Sequence, residues 1–186
     1  MSKSTLDDMR RRTGGRSARA IVYDTDQIAK RVRELGAEIA EAYPEGDLLL
    51  LGLLKGCFIF LADLVRAIER PHQIDFLIAS SYGAGKVSSG NVRLLYDPET
   101  DIGGKHIVVV EDIIDSGRTL KQLMELLRAR RPASLAICAL LDKRIAKEPP
   151  PELRFVGFHA PTAFLVGYGL DHAEEFRHLP YIADLD

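Results

Sequence analysis

Two apolar patterns alternate along this chain. Residues 47–54, 107–110 and 134–141 are short, almost unbroken runs rich in Leu, Ile and Val, as expected of strands buried on both faces of a parallel sheet, and residues 74–80 read as a further strand. Between them apolar residues recur at helical spacing: Ile28, Val32, Leu35 and Ile39 in one stretch, Leu120, Leu123, Met124 and Leu127 in another. Asp24-Thr25-Asp26 offers an N-cap to the first helix, and Pro44 with Gly46 closes it. A further helix is predicted from Phe58 through Ile68. Ile21-Val22-Tyr23 and the segment Val92–Tyr96 read as shorter strands. Strand and helix in turn predict a single α/β domain with a mainly parallel twisted sheet flanked by helices.

Residues 1–19 carry no such pattern. With Arg10-Arg11-Arg12-Thr13-Gly14-Gly15-Arg16 they read as a mobile polar tail, leaving residues 20–186 for the domain. At 186 residues the chain suits one well-buried domain rather than two. Lys and Arg number 25 against 27 Asp and Glu, so a net charge of −2 gives no basic field for nucleic acid. No apolar run approaches membrane-span length, and the N-terminus has no hydrophobic signal region. Cys57 and Cys138 sit in apolar surroundings without metal-ligand spacing, as buried free thiols do in a reducing compartment. A cytoplasmic protein is expected, with neither membrane nor nucleic-acid partners.

The candidate chemistry gathers where the run 107–110 meets Glu111-Asp112-Ile113-Ile114-Asp115-Ser116-Gly117-Arg118-Thr119. The strand is expected to end at the acidic pair. A tight loop feeding a helix then turns backbone N–H groups toward an anion, and the hydroxyls of Ser116 and Thr119 add donors for phosphate oxygens. Glu111 and Asp112 would accept from a sugar diol or hold a hydrated divalent metal. Phosphate, diol and metal together describe a phosphorylated ribose. Lys55-Gly56 follows another buried strand, where open α/β sheets bind ligands; the lysine offers charge and the glycine a close backbone approach.

The run from Val110 to Leu120 resembles the phosphoribosyl-diphosphate signature of the type I phosphoribosyltransferases, in its hypoxanthine-guanine form. The resemblance covers roughly residues 20 to 180. It implies a small hood, built from N- and C-terminal segments, above the sheet. It also implies transfer of a 5-phosphoribosyl group from phosphoribosyl diphosphate to hypoxanthine or guanine, with Mg²⁺ as cofactor and a homodimer or homotetramer as the assembly. Residue by residue, Asp115 matches the catalytic base, and Asp115, Ser116, Gly117, Arg118 and Thr119 match the 5-phosphate loop. Glu111 and Asp112 match the ribose and metal carboxylates. Lys55, Gly56 and Arg177 match pyrophosphate contacts, and the Leu54-Lys55 bond matches one that can be cis. Ser81 and Tyr82, in a Gly- and Ser-rich stretch, match a lid that keeps water from a reactive ribosyl cation. Lys143 matches the donor to a purine 6-oxygen, Phe164 the stacking aromatic and Leu165 a backbone contact to the base. Asp171 matches a metal-associated aspartate at the purine side.

Two alternatives share the phosphate loop. An RNA-binding regulator of the same fold would need a basic face, and such regulators generally carry Asp-Asp where this chain has Glu111-Asp112. A sister enzyme for xanthine, adenine, orotate or uracil would differ at the base pocket, where Lys143 speaks against adenine.

Overall fold

The computed structural model describes the chain except residues 1–2, 16–17, 82–91, 116, 144–149 and 186; the side chains of residues 3–7, 18, 80, 81, 92, 93 and 118 are likewise not described. The three apolar runs and the segment 74–80 become neighbouring strands. β2 (Leu48–Leu53), β3 (Gln73–Ser81), β5 (His106–Ile114) and β6 (Ser134–Asp142) lie parallel, with β7 (Leu153–His159) beyond β6. β4 (Val92–Tyr96) returns antiparallel along the outer edge of β3, giving the order β4-β3-β2-β5-β6-β7. The remaining strand, β1 (Ala18–Tyr23), pairs with β9 (Ile182–Leu185), and β9 with β8 (Leu165–Val166). This second sheet, made from both ends of the chain, is the expected hood.

Alternation along the central strands separates two cores. Leu48, Leu50, Val108 and Val110 face α2 (Thr25–Ala42) and α3 (Phe58–Ala67), whereas Leu49, Leu51, Ile107 and Val109 face α4 (Arg118–Arg128). Because both faces are covered, the strands read as continuous apolar runs. Asp24 caps α2 as its side chain suggested, accepting from Gln27 N at 2.8 Å while the Gln27 side chain accepts from Asp24 N at 2.9 Å.

Two departures bear on function. β5 does not stop at the acidic pair but runs two residues further, to Ile114, because β6 continues beside it and pairs Ile113 with Leu141 and Ile114 with Asp142. The carboxylates therefore project from a strand rather than a loop. Part of the segment read as a polar tail is helix α1 (Lys3–Arg12), whose Met9 is buried in a small hood core with Val166, Phe176 and Tyr181.

α2 and α3 approach most closely at Gly36, where a Cβ would lie 2.4 Å from the Ala67 carbonyl oxygen. Alanine there gains about 1 kcal/mol of helix propensity but forces the helices apart at a cost of about 1–3 kcal/mol. Gly36→Ala is accordingly expected to lower the urea midpoint of unfolding despite its higher propensity; an unchanged or raised midpoint would show that the helix pair can shift freely.

Candidate active site

The chain leaves β2 toward β3 and β4 on one side of the sheet, then re-enters at β5 and proceeds to β6 and β7 on the other. The β2/β5 border is thus a topological switch point, with a crevice beyond the carboxyl ends of both strands. Residues 54–57 turn into that crevice, and the Leu54-Lys55 peptide is cis. A Cβ on Gly56 would lie 1.6 Å from Asp112 Oδ2. On its other side, Gly169 sits at φ +104 with its own Cβ position 2.2 Å from the Gly56 carbonyl oxygen. Three segments distant in sequence therefore converge at one glycine.

The acidic pair projects below this junction. One Glu111 oxygen, Oε2, is sealed from solvent and has no hydrogen-bond partner among the described residues. Burial, and then the neighbouring Asp112, push the Glu111 carboxyl well above the usual carboxylate range. Asp112 is pushed up to about 6, chiefly by burial; the Ile113 amide, which donates to Asp112 Oδ1 at 2.8 Å, and the Arg177 charge oppose the shift. Such oxygens suit a ligand that brings hydroxyls or a hydrated cation. Among the described residues no three His, Cys, Asp or Glu side chains converge on one point. The donor set fits Mg²⁺, which keeps several waters and commonly takes one or two carboxylates together with substrate phosphates.

Next to the pair is a cavity of about 150 Å³, lined by Glu111, Ile113, Ile114, Asp115, Gly117, Thr119 and Leu120. That is about five waters' share of liquid volume, enough for a phosphoryl group. Gly117, at φ +67, turns the chain into α4, so the amino end of that helix opens on the cavity. Ser116 lies outside the described residues, as does the Arg118 side chain; the Asp115 carboxylate is at the exposed rim.

The hood side contributes cations. Arg177 donates from Nη1 to the Gly169 carbonyl at 2.7 Å, and its Nη2 forms an ion pair with Asp171 Oδ1 at 2.8 Å. Lys55 Nζ lies 3.1 Å from Glu174 Oε2, the same oxygen that Arg177 Nη2 approaches at 3.3 Å. Asp171 Oδ2 in turn accepts from the Glu174 amide at 2.9 Å. Lys143 is half-buried just past β6, its amide donating to the Ile114 carbonyl at 3.0 Å. Leu165 is buried in β8, while Phe164 is half exposed, with the His172 ring set edge-on at 5.2 Å. Ser81 ends β3 with its side chain undescribed, and Tyr82 lies outside the described residues.

Glu174 and Gly169 were not singled out by sequence reasoning. The turn from 171 to 177 holds Ala173, Glu174 and Phe176 at positive φ without a glycine, so its composition does not signal its shape. The one available cue was spacing, with Glu174 three residues from both Asp171 and Arg177.

The family model described as a phosphoribosyl transferase domain matches residues 19–173. A hypoxanthine phosphoribosyltransferase of Salmonella typhimurium is 49% identical over 158 residues, covering 84% of this chain and 89% of its own. A hypoxanthine-guanine phosphoribosyltransferase of Bacillus subtilis is 46% identical over 165 residues, covering 89% and 92%. Among solved structures, a hypoxanthine-guanine phosphoribosyltransferase of Bacillus anthracis with HEPES in its active site superposes with a TM-score of 0.86 at 40% identity, covering 91% of this chain and all of that one.

The buried pair makes a pH-dependent prediction. Asp112 rises from an ordinary value of 3.8 to about 6 on folding, so between those values the folded state keeps a proton that the unfolded chain has lost. Stability then falls as pH rises through that window, and by linkage the loss is of the order of 1–3 kcal/mol once complete. Asp112→Asn is expected to raise the melting temperature of metal-free protein above about pH 6 and to change it little below pH 4. Thermal unfolding with a chelator, run across that range, checks it; an equal gain at every pH would sink the idea.

Proposed function

The chain belongs to the phosphoribosyl transferase domain family, and from that premise we propose that it serves purine salvage as its hypoxanthine-guanine relatives do. It transfers the 5-phosphoribosyl group of phosphoribosyl diphosphate to hypoxanthine or guanine, releasing pyrophosphate and forming IMP or GMP. The observation that carries this reading is the cavity at the amino end of α4, which shares Glu111 with the buried acid pair. An anion site and a diol site with a common wall match a ribose 5-phosphate better than either half of it.

The 5-phosphate is held by the loop from Asp115 to Thr119, and the ribose hydroxyls by Glu111 and Asp112. Phe164 stacks on the purine, the Leu165 backbone meets its edge, and Lys143 donates to the 6-oxygen, which favours oxopurines over adenine. In the reaction the bond from the anomeric carbon to the pyrophosphate oxygen breaks and its electron pair leaves with pyrophosphate. Purine N9 supplies the electrons of the new bond. Lys55 and Arg177 balance the charge growing on the leaving group, and Glu111 and Asp112 face the positive charge growing on the sugar. Asp115 takes the proton from purine N7; as a carboxylate is a weak base, that transfer accompanies formation of the bond to N9. The lid role that the resemblance gives Ser81 and Tyr82 is the exclusion of water from this centre.

Mg²⁺, for which Glu111, Asp112 and Asp171 are the candidate carboxylates, would supply charge neutralisation at the pyrophosphate when bound. A homodimer or homotetramer is the expected assembly, open to check by sedimentation. A cytoplasmic setting accords with the free, buried Cys57 and Cys138.

Incubation with phosphoribosyl diphosphate, magnesium and hypoxanthine, guanine or xanthine in turn, followed by absorbance, tests the activity; no nucleotide with any of the three would end it. Asp115→Asn is expected to lower kcat by about 10²-fold or more while IMP binds nearly as before. An unchanged kcat removes Asp115 from the chemistry.

A further inference from the structure

Lys55 and Arg177 come from segments far apart in sequence, yet both reach one oxygen of one side chain, Glu174 Oε2, at 3.1 and 3.3 Å. These are the cations that, on the reading above, hold the leaving pyrophosphate. The turn that carries Glu174 has hydrogen bonds of its own, besides the pairing of Asp171 with Arg177. Asp171 Oδ2 accepts its backbone amide, His172 and Glu175 pair across the turn at 3.2 and 3.1 Å, and the backbone at Glu174 has φ +65. The side chain is free to leave. It is 65% exposed and its Lys55 partner 66% exposed, so neither ion is trapped by desolvation when the pair opens.

We propose that Glu174 is an internal counterion which stands on Lys55 and Arg177 in place of pyrophosphate and sets how tightly that group is held. An anion entering the crevice does not meet two bare cations; it displaces a carboxylate that already bridges them. The carboxyl group of Glu174 is held below its ordinary range by its contact with Lys55 and then with Arg177, so it keeps its charge at neutral pH. The arrangement keeps the two side chains oriented before substrate arrives. It also weakens the hold on the product that must leave after the ribosyl group has moved.

The inference rests on Lys55 and Arg177 as pyrophosphate contacts, and its test separates the two ideas. Glu174→Gln keeps the side chain's shape and the backbone hydrogen bond but removes the charge. An exposed ion pair is worth about two- to fivefold in an equilibrium constant, so losing one that bridges two cations is expected to tighten pyrophosphate binding about three- to tenfold by calorimetry with magnesium present. The KM for phosphoribosyl diphosphate should fall in step while that for hypoxanthine stays put. The gain should shrink toward about 0.5 M salt, which a merely structural effect would not do. Glu174→Ala should reproduce the shift, and Glu174→Asp should restore wild-type behaviour. Unchanged or weaker pyrophosphate binding in both neutral variants, with wild-type circular dichroism and IMP formation, overturns the counterion alone. Wild-type protein that binds no pyrophosphate overturns the counterion and the assignment of Lys55 and Arg177 together.

Discussion

The crevice depends on the absence of a side chain at residue 56. Asp112 occupies the space on one side of Gly56, and Gly169 closes against its carbonyl on the other. Any Cβ there would have to displace a carboxylate from a buried strand. Only main chain brings the loop after β2, the end of β5 and the C-terminal segment together at this point. Close packing elsewhere in the sheet fixes the strands, but at this point contact is made by atoms that are not there.

Electrostatics at the same place runs against stability. Two carboxylates on consecutive residues of β5 are largely withdrawn from water, one with an oxygen that no described residue satisfies; the Asp112 charge raises the cost of ionising Glu111, and the Asp171 charge that of ionising Asp112. A strand built only to fold would carry apolar residues there, as Val109 and Val110 do just before. Groups held in an unfavourable state by the surrounding fold are available to a ligand that relieves them, which is how a rigid scaffold turns part of its folding free energy into affinity.

Much of this was legible in the sequence. The runs at 47–54, 107–110 and 134–141 read correctly as inner strands because burial on both faces leaves no polar alternation, whereas β3 leaves Ile74 and Phe76 exposed on one face; Asp24 was a sound N-cap. The phosphoribosyltransferase signature on β5 and the loop beyond it led to the right family. The end of β5 was misread because Glu111 and Asp112 are poor strand residues by composition. Their pairing is imposed by β6, a neighbour some 30 residues away that local propensity does not see. Helix α1 was missed for a related reason: Met9 finds its apolar surroundings in residues beyond 165. Glu174 escaped because its backbone takes a shape that its neighbours in sequence do not advertise.

The hood has a further consequence for how the molecule comes to exist. Ala18 pairs with Leu185 and Ile21 with Ala183, so β1 waits for β9. On a ribosome the six-stranded sheet has all its strands by His159, while the hood lacks β9 until residues 182–185 emerge. Contacts of such long sequence separation form late. The newborn chain would thus hold the crevice at the β2/β5 border before it holds the hood, and the two parts of the proposed site would be completed in that order.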